Sequence, residues 1–203
     1  MREFHKKWIT NSCLIIKENC QKINMLDQEI GDGDHGTTIL RGLEEAVSHF
    51  RANNEFDNSI SFMNEISKLM RISMGGASGI LMTIFFKELG NLNLNDLYNS
   101  ILTTFSNTIT KIQTRGKVKF GDKSFLDIYI PIHQDLIENN FIDLDKIITK
   151  IDESLEYTKS LEARVGRAKF LDSKGVGVID PGAYSTSIIL KEFFKEINNE
   201  KNN

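Results

Sequence analysis

Three aspartates fall within eight residues in the segment Leu26-Asp27-Gln28-Glu29-Ile30-Gly31-Asp32-Gly33-Asp34-His35-Gly36-Thr37-Thr38. Carboxylates this close repel one another unless a positive charge lies between them. Hard oxygen ligands at this density suit magnesium, which commonly keeps coordination positions open for phosphate oxygens. Asp27 can sit on a final helical turn, with Asp32 and Asp34 on the loop that follows. Helix capping by Asp32 or Asp34 fits the same spacing, so the residues alone leave metal binding and capping both open. The run from Gly31 to Gly36 also matches G-x-G-x-x-G, but no strand precedes it and its carboxylates would repel a bare pyrophosphate. A calcium loop counted from Asp32 fails at its twelfth position, which is Leu43 instead of glutamate.

Three further segments carry candidate chemistry. In Gly75-Gly76-Ala77-Ser78-Gly79, Ser78 can cap a helix or meet a phosphate. The stretch from Arg115 to Ser124 brushes against a Walker loop, but Asp122 follows Gly121 where lysine belongs, so that reading is rejected. Asp122 is expected to cap the next helix, and Lys123 to be a solvated charge. Arg167, in Gly166-Arg167-Ala168, can touch ribose or phosphate, while Asp180-Pro181-Gly182-Ala183 is equally a good turn and helix start. His35 is the one histidine inside a site-like segment. No nucleophile pairs with it in sequence, so a phosphate or base contact is expected rather than general-base work. No Ser/His/Asp pattern, C-x-x-C pair or H-E-x-x-H motif occurs, and no catalytic residue is assigned in this chain.

The elements that must position these segments are helical. Phe62, Ile66, Leu69 and Ser73 repeat at three- and four-residue steps, as do Leu94, Leu97, Ile101, Phe105, Ile109 and Ile112. Leu144, Ile147, Ile148, Ile151, Leu155 and Leu161 form a third series, and Ile188, Ile189, Phe193 and Ile197 a fourth. The spacing predicts about eight helices, near 3–24, 37–52, 58–73, 79–90, 94–112, 124–139, 143–163 and 183–198, the first breaking near Asn24. Strand alternation is confined to Lys117–Phe120, too short to anchor a sheet. The glycine clusters at 31–36, 75–79, 116–121 and 175–182 each precede a predicted helix. A helix start leaves unpaired N–H groups aimed outward and adds partial positive charge, so it binds phosphate. Several such starts on one small helical domain suggest a shared anion site.

The bulk numbers agree. The 203 residues suit one domain with one core. A net charge of -3 with mixed signs provides no footprint for nucleic acid and no basic face for a membrane. No apolar run approaches the roughly 20 residues of a span, and no secretory signal pattern opens the chain. Cys13 and Cys20 lie two turns apart on one helix face, too far to bridge easily, and read as reduced cysteines of a cytoplasmic protein.

In order, the segments 26–36 (LDQEIGDGDHG), 75–79 (GGASG), 121–127 (GDKSFLD), 166–171 (GRAKFL) and 180–183 (DPGA) resemble the family of ADP-binding L subunits of bacterial dihydroxyacetone kinases. Each motif is modest; their joint order is specific and spans most of the chain. The resemblance implies a single domain over 1–203, an all-α barrel of about eight amphipathic antiparallel helices with the nucleotide site at one end. It implies that Asp27, Asp32 and Asp34 hold two magnesium ions. His35, Gly36, Thr37, Thr38, Gly76, Ala77 and Ser78 would line the phosphates of ADP or ATP. Gly116, Phe125, Arg167, Asp180, Pro181 and Gly182 would enclose the adenosine end. It further implies that resident ADP is phosphorylated by a phosphohistidine on an M subunit and that the phosphoryl group passes to dihydroxyacetone held on a K subunit. An ATP-exchanging kinase component for another small substrate, a homodimer, and a nucleotide-dependent partner of a transcription regulator are alternatives within the same resemblance. Three residues depart from the family's habit: Gly33 where alanine is also common, Ile80 in place of proline, and Ser124 in place of threonine.

Overall fold

The computed structural model describes residues 1–53 and 56–201, with the side chains of residues 77, 78 and 201 outside that description. Among the described residues there are eight α-helices and no strand. They are α1 (Arg2–Ile30), α2 (His35–Ala52), α3 (Ser59–Met74), α4 (Gly76–Glu88), α5 (Leu97–Gly116), α6 (Leu126–Asn139), α7 (Leu144–Tyr157) and α8 (Pro181–Lys201). The Lys117–Phe120 alternation forms no strand; it belongs to the loop between α5 and α6. Among the described residues no helix is long and apolar enough to cross a membrane.

Each helix packs on the next, and α8 returns to α1, so the ring closes into an up-and-down barrel. The interior is filled by aromatic and branched side chains. Trp8 of α1 is fully buried, stacks on Phe86 with ring centroids 4.8 Å apart, and meets Phe85 and Phe193 edge-on. Its indole N–H donates to Ile189 O at 3.0 Å, which satisfies the one polar atom such a ring carries into a core. Each side chain of this size contributes roughly 1.5–3 kcal/mol by burial. His5 is buried beside them and bonds Leu89 O at 3.1 Å.

Local signals set the ends. Asn58 and Ser61 form a reciprocal cap on α3, and Asp143 accepts from Lys146 N–H to open α7. The apolar face of α3 is Phe62, Met63, Ile66, Met70 and Met74, one position round from the expected Leu69 and Ser73. Two boundaries differ more. Helix α1 runs through Asn24 to Ile30 without a break. The Asn24 amide is engaged by Thr37, through Nδ2 to Thr37 Oγ1 at 2.8 Å and Thr37 N–H to Oδ1 at 3.1 Å, so it does not compete with the helix backbone. Helix α7 stops at Tyr157 instead of continuing to 163. Its last turn tightens, with Thr158 Oγ1 donating to Leu155 O at 2.7 Å, and the chain enters a long segment, 161–180, without α-helix.

Candidate functional site

Up-and-down topology brings the C-termini of α1, α3 and α5 and the N-termini of α2, α4, α6 and α8 to one end of the barrel. They surround a cavity of about 820 Å³. The four glycine-rich segments meet there, although they are spread over some 150 residues of sequence.

Asp27 occupies the last turn of α1 and is buried; Asp32 and Asp34 stand exposed on the loop that joins α1 to α2. One carboxylate oxygen from each lies within 4.8 Å of the others. Asp27 Oδ2 also organises the loop, accepting from Asp34 N–H at 2.9 Å and His35 N–H at 3.1 Å. Asp32 and Asp34 make no side-chain cap to α2, which disfavours the capping reading. The approach of Asp27 requires a glycine at position 31: a Cβ there would stand 2.2 Å from Asp27 Oδ1. This donor set, three carboxylates with space beside them, fits a hard divalent cation. The charges lining the cavity balance, with Asp27, Asp32, Asp34 and Asp180 against Arg41, Arg115, Lys123 and Arg167. A polyanion entering it therefore needs positive charge from a cation or from helix ends.

Around this cluster, His35 lines the cavity and its Nε2 lies 3.0 Å from Ser185 Oγ. Burial holds its imidazole below the ordinary histidine range, against the pull of Asp27, Asp34 and Asp32. Thr38, Gly76, Gly116, Phe125, Arg167, Asp180, Pro181 and Gly182 all line the cavity. Arg167 Nη2 lies 2.7 Å from Asp32 Oδ2. Asp180 Oδ2 caps α8 by accepting from Ala183 N–H at 2.7 Å, and burial pushes its carboxyl up to about 7.

Two expected residues are not on the wall. Thr37 turns its hydroxyl and its N–H back to Asn24 of α1. Gly36 is buried where α2 crosses α1, and a Cβ there would meet Cys20 O at 2.4 Å. It permits the crossing that sets the loop; it does not face the cavity. The side chains of Ala77 and Ser78 lie outside the described residues. Ile80 lies four residues inside α4, which opens at Gly76, so proline geometry is not required there to start the helix. Ser124 keeps a hydroxyl where threonine is usual, and that hydroxyl accepts from Leu126 N–H at 3.2 Å. Gly33 takes φ +80, a conformation that alanine would strain.

The expected roles of Asp122 and Lys123 are corrected. Asp122 folds the loop back on itself by accepting from Lys119 N–H at 2.7 Å. Asp127, inside the first turn of α6, reaches back to accept from Gly121 N–H at 2.5 Å and Ser124 N–H at 2.7 Å, and so fixes the loop that enters the helix. The spacing Ser124-x-x-Asp127 carries the signal, since an acid three residues on can reach back to Ser124 N–H, the return half of a capping box. Lys123 is not solvated but buried, with its Nζ among backbone carbonyls. Arg41 is a further addition: it lines the cavity and grips the end of α3 through Ser73 O at 2.8 Å and Met74 O at 3.2 Å. Its place one turn after Thr37 and Thr38 on α2 is the only sequence cue to it.

Comparison with known proteins places the chain in a family and a fold. The DAK2 domain family matches residues 29–195. The chain is 32% identical over 200 residues to the PEP-dependent dihydroxyacetone kinase 1, ADP-binding subunit DhaL, of Listeria innocua serovar 6a, with 93% of each chain covered. It is 29% identical over 197 residues to the corresponding ADP-binding subunit DhaL of Escherichia coli K12, with 91% of each covered. The fold matches the crystal structure of the dihydroxyacetone kinase of C. freundii at a TM-score of 0.69 and 20% identity, covering 97% of this chain and 34% of that one. It matches the same kinase in complex with AMP-PNP and Mg2+ at a TM-score of 0.68 and 23% identity.

Proposed function

The chain belongs to the DAK2 domain family, and on that premise we propose that it is the ADP-binding subunit of a dihydroxyacetone kinase, a phosphotransferase, formed by one domain over residues 1–203. The observation that carries this reading is the convergence of Asp27, Asp32 and Asp34 within 4.8 Å beside four helix N-termini at one end of the barrel. Phosphoryl transfer needs positioning and charge neutralisation more than covalent chemistry from the protein. A cation-binding carboxylate cluster set against helix N-termini is suited to both.

In this proposal Asp27, Asp32 and Asp34 hold magnesium, two ions in the fuller form of the reading. His35, Thr38 and the α4 start at Gly76, with Ala77 and Ser78, face the phosphates. Gly116, Phe125, Arg167 and Asp180–Gly182 enclose the adenosine end. Asp27 fixes the metal-binding loop through two backbone N–H groups, and Asp180 holds the first turn of α8 in place. When bound, the nucleotide supplies a resident phosphoryl carrier between a phosphohistidine on an M subunit and dihydroxyacetone on a K subunit, all in the cytoplasm. The relatives' description as ADP-binding subunits supports the assignment of acceptor and donor to partner chains.

The test is direct. The purified chain, passed through gel filtration, is denatured and its supernatant analysed for nucleotide and magnesium. ADP recovered near one per chain supports the proposal. Absence of bound nucleotide, together with no measurable ADP affinity in the presence of magnesium, ends it.

A further inference from the structure

Lys123 is 2% exposed although it carries a charge, and its backbone is left-handed at φ +61. A lysine stays in such a place only where its ammonium finds partners to replace water. Its Nζ donates to Thr158 O at 2.5 Å and Val178 O at 2.6 Å. Thr158 follows the end of α7, and Val178 stands two residues before Asp180. One ammonium therefore joins the two ends of the segment that runs from α7 to α8. The same junction is tied a second time, because Asp180 N–H donates to Thr158 Oγ1 at 3.1 Å. The lysine stem is packed too: a Cβ on Gly175 would lie 3.1 Å from its Cε.

The segment so pinned has no α-helix of its own and buries few apolar side chains; Phe170 is 80% exposed, and Leu171 and Val176 are exposed as well. Its apolar anchoring is small: Ala163 and Ala168 pack on Ile30 with Val178 beside them, and Val165 and Ile179 touch the main core, so polar ties carry much of its placement, among them Arg164 N–H to Asp122 O at 3.1 Å and Gly177 N–H to Lys159 O at 2.8 Å. It carries Arg167, the residue that reaches Asp32. We propose that Lys123 is the positioning residue of the nucleotide site: by tying Thr158 to Val178 it seats the 161–180 segment, and with it Arg167 and Asp180, against the bound nucleotide. This deepens the nucleotide assignment above and rests on it.

The separating experiment measures two affinities in the full-length chain. Lys123→Met keeps the stem and removes the ammonium. Release of a fluorescent ADP analogue is followed by stopped flow, Mn2+ binding is measured without nucleotide, and helicity is followed by circular dichroism. The expected result is nucleotide release at least tenfold faster, with helicity unchanged and Mn2+ affinity not weakened: equal to wild type, or up to fivefold tighter as Arg167 leaves Asp32. A merely structural role would move both affinities together. Release within threefold of wild type overturns the proposal, as does an equal loss of Mn2+ binding. If Lys123→Met loses its helicity, Lys123→Gln is measured by the same criteria, and unfolding of both overturns the proposal by making Lys123 a requirement of the whole fold. If wild-type chain binds no ADP, it is the nucleotide assignment that fails; if wild type binds ADP and the variant matches it, only the role of Lys123 fails.

Discussion

Arg167 Nη2 lies 2.7 Å from Asp32 Oδ2, so a side chain from the 161–180 segment reaches across the cavity mouth to a carboxylate of the proposed metal site. Both partners are exposed, and an exposed pair contributes at most about 1 kcal/mol. Its consequence is competition: the guanidinium and a metal ion seek the same oxygen. Arg167→Gln should therefore bind Mn2+ two- to fivefold more tightly when no nucleotide is present, and the gain should shrink as salt is added. The same variant should bind ADP more weakly. Titration of Mn2+ at two ionic strengths decides the matter, and unchanged or weaker metal binding would show that Arg167 does not compete.

Asp32 is the cleanest metal ligand to remove, because its carboxylate supports no backbone hydrogen bond of the loop, whereas Asp27 Oδ2 accepts two. Asp32→Asn should abolish magnesium and ADP binding while leaving the helical circular dichroism intact. An ADP affinity within about threefold of wild type, less than ~1 kcal/mol, would make the metal assignment wrong.

Gly31→Ala probes the same cluster without touching a ligand. The backbone there, at φ -146 and ψ -138, lies outside the regions that side-chain-bearing residues favour, so alanine adds backbone strain to the clash. Its methyl would occupy space 2.2 Å from Asp27 Oδ1 and push the carboxylate off its two N–H donors. We expect Mn2+ and ADP affinities to drop at least tenfold with the melting temperature lowered by only a few degrees. Wild-type affinity in this variant would mean that the placement of Asp27 is not critical.

His5 makes stability depend on pH. Burial drives its imidazole down to about 3, while an unfolded histidine titrates near 6.5. Between these values the unfolded chain takes up a proton that the folded chain refuses. The contribution of neutral His5 is thus fully present above pH 6.5 and is lost as pH falls towards 3. Between pH 7 and pH 5, wild type should lose about 2 kcal/mol more than His5→Gln, which can keep a donor for Leu89 O but does not titrate. Urea unfolding at the two pH values measures the difference, and parallel losses in the two proteins would count against it.

Much of this protein is legible in its residues. Three- and four-residue apolar steps determine eight helices, because an amphipathic face at that period can be buried only as a helix. The dense aspartates and the glycines before helix starts point to the end of the barrel at which the carboxylates and helix N-termini meet. The order of the motifs fixes the family. Local sequence does not decide which of several partners a polar side chain takes. Asn24 could have ended α1, but Thr37, thirteen residues on, engages its amide. Thr37, expected beside the phosphates, holds Asn24 through its N–H and accepts from the Asn24 amide at its hydroxyl. Asp122 looked like a cap, yet Asp127 holds the α6 start.

Lys123 shows the division most plainly. By sequence it is a lysine in a polar loop beside Asp122 and Ser124, where a solvated charge is the natural expectation. Nothing local brings Thr158 or Val178 to it, since they lie 35 and 55 residues further along the chain. The antiparallel packing of α7 on α6 carries the end of α7 to the start of α6, and the packing of α8 on α7 brings Val178 back to the same place. Hydrophobic periodicity and turn chemistry act over a few residues and are written in the chain. The partners of a buried charge are decided by which distant carbonyls the packed barrel leaves without other donors.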